Sequence, residues 1–237
     1  MERKSWIFGW LIAIAQIGLG QISVASLPDL PFEPNPGKLE LYSVIFIEEN
    51  KPSPAAFLIG LEGMSILVQD HKLKNDSIFT LIDYTLPSST RRLWVIDVKN
   101  KKVLFNTLVA HGKNSGLITP TDFSNTPNTN KSSQGFFITG ETYYGKHGYS
   151  LRLDGIEAGI NDKARSRAIV IHSAEYATID FINNYGRLGR SFGCPALPPK
   201  KSPLVIDTIK EKSCLFIYTP DSKYPGKSLV LNKERRS

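Results

Sequence analysis

From Ser77 onward the chain is a succession of short segments rich in β-branched and aromatic residues, and this pattern limits the fold more than any other feature. Seven segments are each bounded by Gly, Asn, Pro or Asp: SIFTLIDYT, RRLWVIDVKN, KVLFNTLVAHG, GFFITGETYYG, YSLRLDGI, RAIVIHS and CLFIYTP. Segments of this length and composition predict β-strands. Few helical patterns accompany them, so we expect a mainly β, sandwich or barrel-like domain over residues 77–220.

The segments between these strands predict one hairpin and two helices. DVKNKKVLF predicts two strands joined at an Asn-Lys turn. PAAFLIGLEGMSILVQDHKL predicts an amphipathic helix that begins at Ser53-Pro54. SAEYATIDFINNYG predicts a second helix, with Ser173 as its N-cap and Gly186 at its end.

The first 25 residues match a secretory signal peptide. MERKSW carries two cations, an apolar run follows, and the small residues Ser23 and Ala25 stand where a signal peptidase would read. The alternative is an uncleaved anchor, although the apolar run is short for a membrane span. We therefore expect an exported protein of the periplasm or cell envelope, without a stable membrane span after cleavage.

The remaining chain divides into three parts by composition. Residues 26–76 form a linker, with four prolines in SLPDLPFEPNPGKLE, followed by the predicted helix. Residues 77–220 form the β domain, and residues 221–237 form a C-terminal tail. We expect this protein to be a monomer.

The charge of the chain bears on its partners. Removal of the leader lowers the formal net charge from +7 to +6. A basic exported protein is expected to associate with anionic polymers such as the cell wall. The positive residues are scattered, without a basic helix or an aromatic-interleaved stripe, which argues against nucleic-acid binding.

A candidate nucleophile lies in the stretch GRLGRSFGCPALPP. Cys194 follows Gly193, which permits close approach of the backbone to a substrate, and precedes a proline that fixes the exit. His172 ends the strand segment RAIVIHS, 22 residues earlier, and the predicted helix returns the chain towards Cys194. A catalytic thiol needs such a base within reach. Arg190 is expected to lower the pKa of the thiol or to bind a substrate carboxylate, with a plain surface role as the alternative.

Two alternatives would use Cys194 differently. In an exported chain with two cysteines, Cys194 and Cys214 can form a disulfide. Cys194 and His172 can also bind zinc with His147 or His111, although no short paired spacing supports such a site.

Several stretches resemble the murein L,D-transpeptidase catalytic domain family. The resemblance spans most of residues 80–200 and rests on these motifs: LIDYTLPSSTRRLWVID, LVAHGKNSG, SSQGFFITGETYYGKHGYSLRLDGIEAGIND, RAIVIHS and GRSFGCPALP. It implies that Cys194 is the nucleophile and His172 the general base. It further implies that the Ser173 carbonyl holds the imidazole, while the Gly193 and Cys194 amides bind the oxyanion.

The same resemblance implies the reaction and the substrate. The thiolate attacks an L-to-D peptide bond of a peptidoglycan tetrapeptide stem and forms a thioester. An amine of a neighbouring stem resolves the thioester in transpeptidation, and water resolves it in carboxypeptidase activity. No metal or organic cofactor is implied. A non-catalytic, wall-binding β domain is the alternative from another class.

The sequence departs from the better-known members of the family around the cysteine. Phe192 stands where those members carry a histidine, and Pro195-Ala196 follows the cysteine in place of an apolar and a polar residue. Four residues are candidate substrate contacts, each with a structural role as the alternative: Arg190, Tyr149, His147 and Asn161.

Overall fold

The computed structural model describes residues 30, 32–33, 35–47 and 50–232. The strands are β1 Asn75–Asp83, β2 Leu93–Asp97, β3 Lys102–Thr107, β4 Gly135–Gly145, β5 Gly148–Gly155, β6 Val170–Ser173, β7 Ala196–Leu197 and β8 Ser213–Tyr218. The α-helices are α1 Pro36–Ile45, α2 Pro54–Gln69, α3 Ile179–Tyr185, α4 Ser202–Ile209 and α5 Tyr224–Lys227, and a 3₁₀ turn spans Glu175–Ala177.

The strands form one sheet that nearly closes on itself. Its order is β3-β2-β1-β8-β4-β5-β6-β7. The β1–β8 and β6–β7 pairs are parallel, and the other neighbours are antiparallel. An isolated bridge between Ala110 and Ala196 connects the segment after β3 to β7, across the gap between the two edge strands. The mainly β, barrel-like fold predicted from the strand pattern is confirmed.

Two apolar clusters cover the two faces of the sheet. One joins α1 and α2 to aromatic side chains of the sheet, among them Phe79, Phe136 and Phe216. The other lies on the opposite face, beneath α4, and includes Phe137 and Ile206. Burial of large side chains on both faces is the main stabilising contribution to such a domain.

The close approach of α2 to the sheet depends on two glycines. A Cβ at Gly60 would lie 2.4 Å from the Phe79 ring, and one at Gly63 would lie 2.0 Å from the Phe136 ring. Both distances are below van der Waals contact, so any side chain at these positions would push the helix away from the sheet.

All seven predicted strands are present, as is the predicted β2–β3 hairpin. Helix α2 begins after Ser53 as expected. The prediction that it is amphipathic was wrong, because side chains on nearly its whole circumference are buried between α1 and the sheet. Prediction from sequence missed α1, α4, α5 and the two-residue strand β7.

The helix expected between the histidine and the cysteine is present, but it begins later. Strand β6 continues through Ser173, which pairs with Leu197, so the N-cap prediction at Ser173 was wrong. Thr178 caps α3 instead, by accepting a hydrogen bond from Phe181 N at 3.4 Å. Gly186 ends the helix at φ 69°, as predicted.

The predicted signal peptide and the last five residues lie outside the described residues. In the part of the chain that the structure describes, no helix has the length and apolarity to cross a membrane. In the predicted tail, Tyr224 is buried and donates a hydrogen bond to Glu157 at 2.8 Å.

Candidate active site

His172 is the third residue of β6, and the pairing of β6 with β7 determines what lies beside it. It pairs with Ala196 in the parallel β6–β7 ladder, which places Cys194 just before β7 on the adjacent segment. The imidazole is buried, and its Nδ1 lies 2.8 Å from the carbonyl oxygen of Ser173. A carbonyl only accepts hydrogen bonds, so Nδ1 carries the proton and Nε2 carries the lone pair of a neutral base.

The turn that carries Cys194 is closed by the side chain of Ser191. The Ser191 hydroxyl donates to the carbonyl oxygen of Cys194 at 2.6 Å and accepts from Gly193 N at 3.0 Å. Gly193 has φ 125°, and a Cβ there would lie 2.8 Å from the carbonyl oxygen of Lys131. Only glycine fits both the conformation and the space.

The hydrogen bonds of this turn determine which of the two expected oxyanion donors is available. The Gly193 amide is engaged by Ser191 in this conformation. The Cys194 amide donates no hydrogen bond within the described part of the chain. Of the two predicted donors, the Cys194 amide is therefore the one that is available without rearrangement of the turn.

The thiol of Cys194 lies against the strand entry that leads to His172. Its Sγ donates to the carbonyl oxygen of Ala168 at 3.5 Å. Burial raises the pKa of Cys194, while a hydrogen bond from the Val170 backbone and the positive charges of Arg167 and Lys146 lower it. The thiol is thus protonated at rest and depends on nearby positive charge and a base to ionise.

Arg167 is a cation near the thiol that sequence reasoning missed. Its guanidinium donates to Lys131 O and Ser133 Oγ, each at 2.7 Å, and also to the carbonyl oxygen of Ser124. These neutral acceptors fix the group without cancelling its charge. In the sequence Arg167 merely precedes a strand, and no local pattern indicates the partners that hold it.

Arg190, the cation predicted for this role, has a different position. Its Nη1 donates to Lys113 O at 2.8 Å and to Gly116 O at 3.3 Å. The charges that act on the pKa of the Cys194 thiol are those of Arg167 and Lys146. Arg190 therefore holds the loop that follows β3 against the nucleophile turn.

That loop is joined to the turn through backbone hydrogen bonds. Ser191 N donates to His111 O at 2.9 Å, and Lys113 N donates to Ser191 O at 2.8 Å. His111 is fully buried, with Nδ1 2.8 Å from Arg92 Nη2 and Nε2 3.1 Å from Gly116 O. An arginine only donates, so Nδ1 accepts and Nε2 donates. His111 is a structural residue that supports the turn.

The region that contains this site matches a known family. The match is to the L,D-transpeptidase catalytic domain family over residues 48–218, which are 171 of the 237 residues. The chain belongs to the L,D-transpeptidase catalytic domain family. The comparison with curated proteins finds no match.

Solved L,D-transpeptidases give weaker similarity. The enzyme from Mycobacterium smegmatis is 15% identical, with 60% of this chain and 59% of that chain covered at a TM-score of 0.37. L,D-transpeptidase 1 from Mycobacterium tuberculosis is 15% identical, with 60% and 61% covered at a TM-score of 0.34. The L,D-transpeptidase from Stackebrandtia nassauensis is 14% identical, with 77% of each chain covered at a TM-score of 0.36. The matched part thus spans about three fifths of the two mycobacterial chains.

The remaining candidate substrate contacts of this L,D-transpeptidase domain have different environments. The His147 ring is stacked on the His172 ring, with 4.4 Å between centroids and 24° between planes. Tyr149 donates through its hydroxyl to Asp207 Oδ1 at 2.8 Å. Asn161 is buried, and its amide nitrogen donates to Gln134 O and Phe136 O. Asn161 therefore holds the start of β4, and the geometry does not support a substrate contact there.

The positions of the two cysteines argue against the disulfide alternative. Both cysteines of the L,D-transpeptidase domain are free. Cys214 is buried on β8 within the cluster that contacts α2, whereas Cys194 packs against the cluster on the other face. Burial raises the pKa of the Cys214 thiol well above its ordinary value, which makes it unreactive. No group of three or more His, Cys, Asp or Glu residues is arranged to bind a metal within the described residues.

Proposed function

We propose that the protein is an exported cysteine acyltransferase that cross-links or trims peptidoglycan stem peptides as an L,D-transpeptidase. The observation that carries the proposal is the pairing of His172, with its Nδ1 proton held by the Ser173 carbonyl, with Ala196 of β7, which brings Cys194, two residues before Ala196, to the adjacent segment. Membership of the L,D-transpeptidase catalytic domain family supports the choice of reaction.

The first half of the reaction forms a thioester. Nε2 of His172 takes the proton from Cys194 Sγ, and the sulfur bonds to the carbonyl carbon of the L-to-D peptide bond. The resulting oxyanion accepts a hydrogen bond from the Cys194 amide. The intermediate collapses, the carbon–nitrogen bond breaks, and His172 Nε2 gives its proton to the leaving D-amino acid.

The second half releases the acyl group. An acceptor amine of a neighbouring stem attacks the thioester carbonyl, His172 takes a proton from that amine, and the carbon–sulfur bond breaks. The proton returns to Cys194 Sγ, and the product is a cross-link. When water is the acceptor, the same steps give a trimmed stem and L,D-carboxypeptidase activity.

Incubation with a disaccharide-tetrapeptide tests the proposal. We expect release of the terminal D-alanine, a thioester on Cys194 detectable by intact mass, and loss of both in Cys194→Ala. A cross-linked dimer among the products identifies transpeptidation, and a tripeptide alone identifies carboxypeptidase activity. Binding to peptidoglycan without release of D-alanine would contradict the enzyme and support a wall-binding module.

Export is the second part of the proposal, and it rests on the leader sequence. The basic charge of the mature chain suits an anionic wall polymer. Fractionation of cells that produce the protein tests this: we expect the mature chain outside the cytoplasm, with an N-terminus at residue 26. A full-length chain in the cytoplasmic fraction would contradict it.

A further inference from the structure

The tip of the β4–β5 hairpin contacts the candidate base. Gly145 pairs with Gly148, and the exposed residues Lys146 and His147 form the turn between them. From this turn the imidazole of His147 lies on the imidazole of His172, with the rings 4.4 Å apart and inclined by 24°. An exposed histidine is therefore fixed against a buried one.

Contacts on the neighbouring residues hold the tip in this position. The Tyr149 hydroxyl donates to Asp207 Oδ1 on α4 at 2.8 Å, and Lys210 pairs with the same carboxylate at 2.9 Å. The rings of Tyr144 and Tyr149 pack with 5.3 Å between centroids. Tyr149, one of the predicted substrate contacts, thus anchors the hairpin to the helix beside it.

The His172 ring needs a second restraint for geometric reasons. The hydrogen bond from Nδ1 to Ser173 O fixes one edge of the imidazole. A single hydrogen bond leaves the ring free to tilt about that edge, and a tilt displaces Nε2, the atom opposite. A ring stacked on its face limits the tilt.

We propose that His147 is a positioning residue that holds the plane of the His172 imidazole and, with it, the position of Nε2, the atom that takes the proton from Cys194 in the proposed reaction. The inference rests on the proposed function of His172 as the base. It assigns to His147 a role towards the enzyme's own side chain, whereas the sequence suggested a contact with substrate.

The charges around His172 agree with this role. Burial lowers the pKa of His172, and positive charge on His147 and Lys146 lowers it further, while the hydrogen bond to Ser173 raises it. The base is thus kept in its neutral form, in which Nε2 accepts a proton. The stacked ring of His147 orients Nε2 of His172, and burial keeps the same nitrogen unprotonated.

The rate at which iodoacetamide alkylates Cys194 at neutral pH tests the proposal in the full chain, without any peptidoglycan substrate. We expect His147→Ala to lower this rate about fivefold, on the scale of one aromatic contact. His147→Phe keeps a flat ring without a titratable group, and we expect it to remain within about twofold of the parent. His71→Asn, at an exposed histidine after α2, serves as the matched control.

A double-mutant cycle shows whether His147 acts through His172. In the His172→Ala background, we expect His147→Ala to have no further effect on the alkylation rate. In D-alanine release, His147→Ala should lower kcat and leave KM unchanged, because the inferred role of His147 is towards His172 and not towards substrate.

Three results would overturn the inference: a parental alkylation rate in His147→Ala, an equal loss in His147→Phe, or a full loss from His147→Ala when His172 is absent. Failure of the proposed function has a different signature, since the parent would then release no D-alanine while the alkylation series remains readable.

Discussion

The turn that carries Cys194 and the hairpin tip that contacts His172 both border the candidate site, and they are held in different ways. Ser191 alone makes four hydrogen bonds there, two within the turn through its hydroxyl and two to the loop after β3 through its backbone N–H and carbonyl. The tip consists of exposed residues and is anchored by Tyr149 on Asp207 and by one ring contact.

The two modes of attachment match what each part of the proposed chemistry requires of its geometry. In the proposed reaction the sulfur of Cys194 and the amide that binds the oxyanion must meet one carbonyl group within a few tenths of an ångström, and a closed hydrogen-bonded turn suits this requirement. The proposed base, His172, must accept and return a proton while substrate and products enter and leave. An exposed segment can hold the base and still yield to a ligand. The following experiments disturb one side at a time.

The largest effect is expected on the base side, from His172→Ala. In the proposed reaction Nε2 removes the proton from a thiol whose pKa burial has raised, and the variant lacks this atom. We expect the rate of thioester formation to fall about 100-fold to 10,000-fold. Single-turnover intact mass with disaccharide-tetrapeptide measures it. Cys214→Ala is the control for the identity of the reacting thiol and should still acylate, and acylation of His172→Ala at the parental rate would refute the role of the base.

On the nucleophile side, Ser191→Ala is expected to have the next largest effect. It removes the hydrogen bonds to Cys194 O and from Gly193 N, and with them the closure of the turn. We expect acylation to fall about tenfold, the scale of one or two hydrogen bonds, with a small decrease in Tm. Ser191→Thr retains the hydroxyl and should restore most of the rate. Parental acylation by the alanine variant would show that the turn is rigid without its serine.

The strand pattern predicted the fold well because each β segment satisfies a local requirement. β-branched residues, aromatic residues and turn residues at the ends are all visible in one window of sequence. Strand β7 is invisible in such a window, because its two residues form a strand only through pairing with β6. The Asn35–Pro36 start of α1 is a helix signal that the surrounding prolines concealed.

The residues of the candidate site likewise divide into those visible in a local stretch of sequence and those that depend on distant contacts. Cys194 and His172 could be proposed from the sequence because a thiol, a base and a glycine turn are recognised by residue type, and their catalytic roles stay predictions. Arg167 was missed because its position depends on carbonyl oxygens more than thirty residues away in sequence. The stack of His147 likewise depends on the register that places the β4–β5 tip at the end of β6.

A more selective change on the nucleophile side is Arg167→Gln. The Arg167 charge opposes the effect of burial on the Cys194 thiol, so its removal raises the pKa of Cys194. The alkylation profile of Cys194 with iodoacetamide should therefore move to higher pH, and the rate at neutral pH should fall. Arg167→Lys keeps the charge and should shift the profile less. Arg165→Gln, two residues earlier in an exposed ion pair with Glu141, is the matched control, and a shift of equal size there would contradict a specific effect of Arg167.

The smallest effect is expected from His111→Gln, beneath the turn. It is an effect on the pH dependence of the free energy of unfolding. Burial, together with the charge of Arg92, lowers the pKa of His111 to about 4 from its ordinary 6.5. Between these values the unfolded chain binds a proton that the folded chain excludes, so the free energy of unfolding decreases as the pH falls from about 6.5 towards 4. Glutamine can accept from Arg92 and donate to Gly116 O, as the neutral histidine does, but it does not titrate. Urea unfolding at pH 7 and pH 4.5 should show a smaller loss of stability in His111→Gln than in the parent, and equal losses would mean that His111 does not contribute to acid sensitivity.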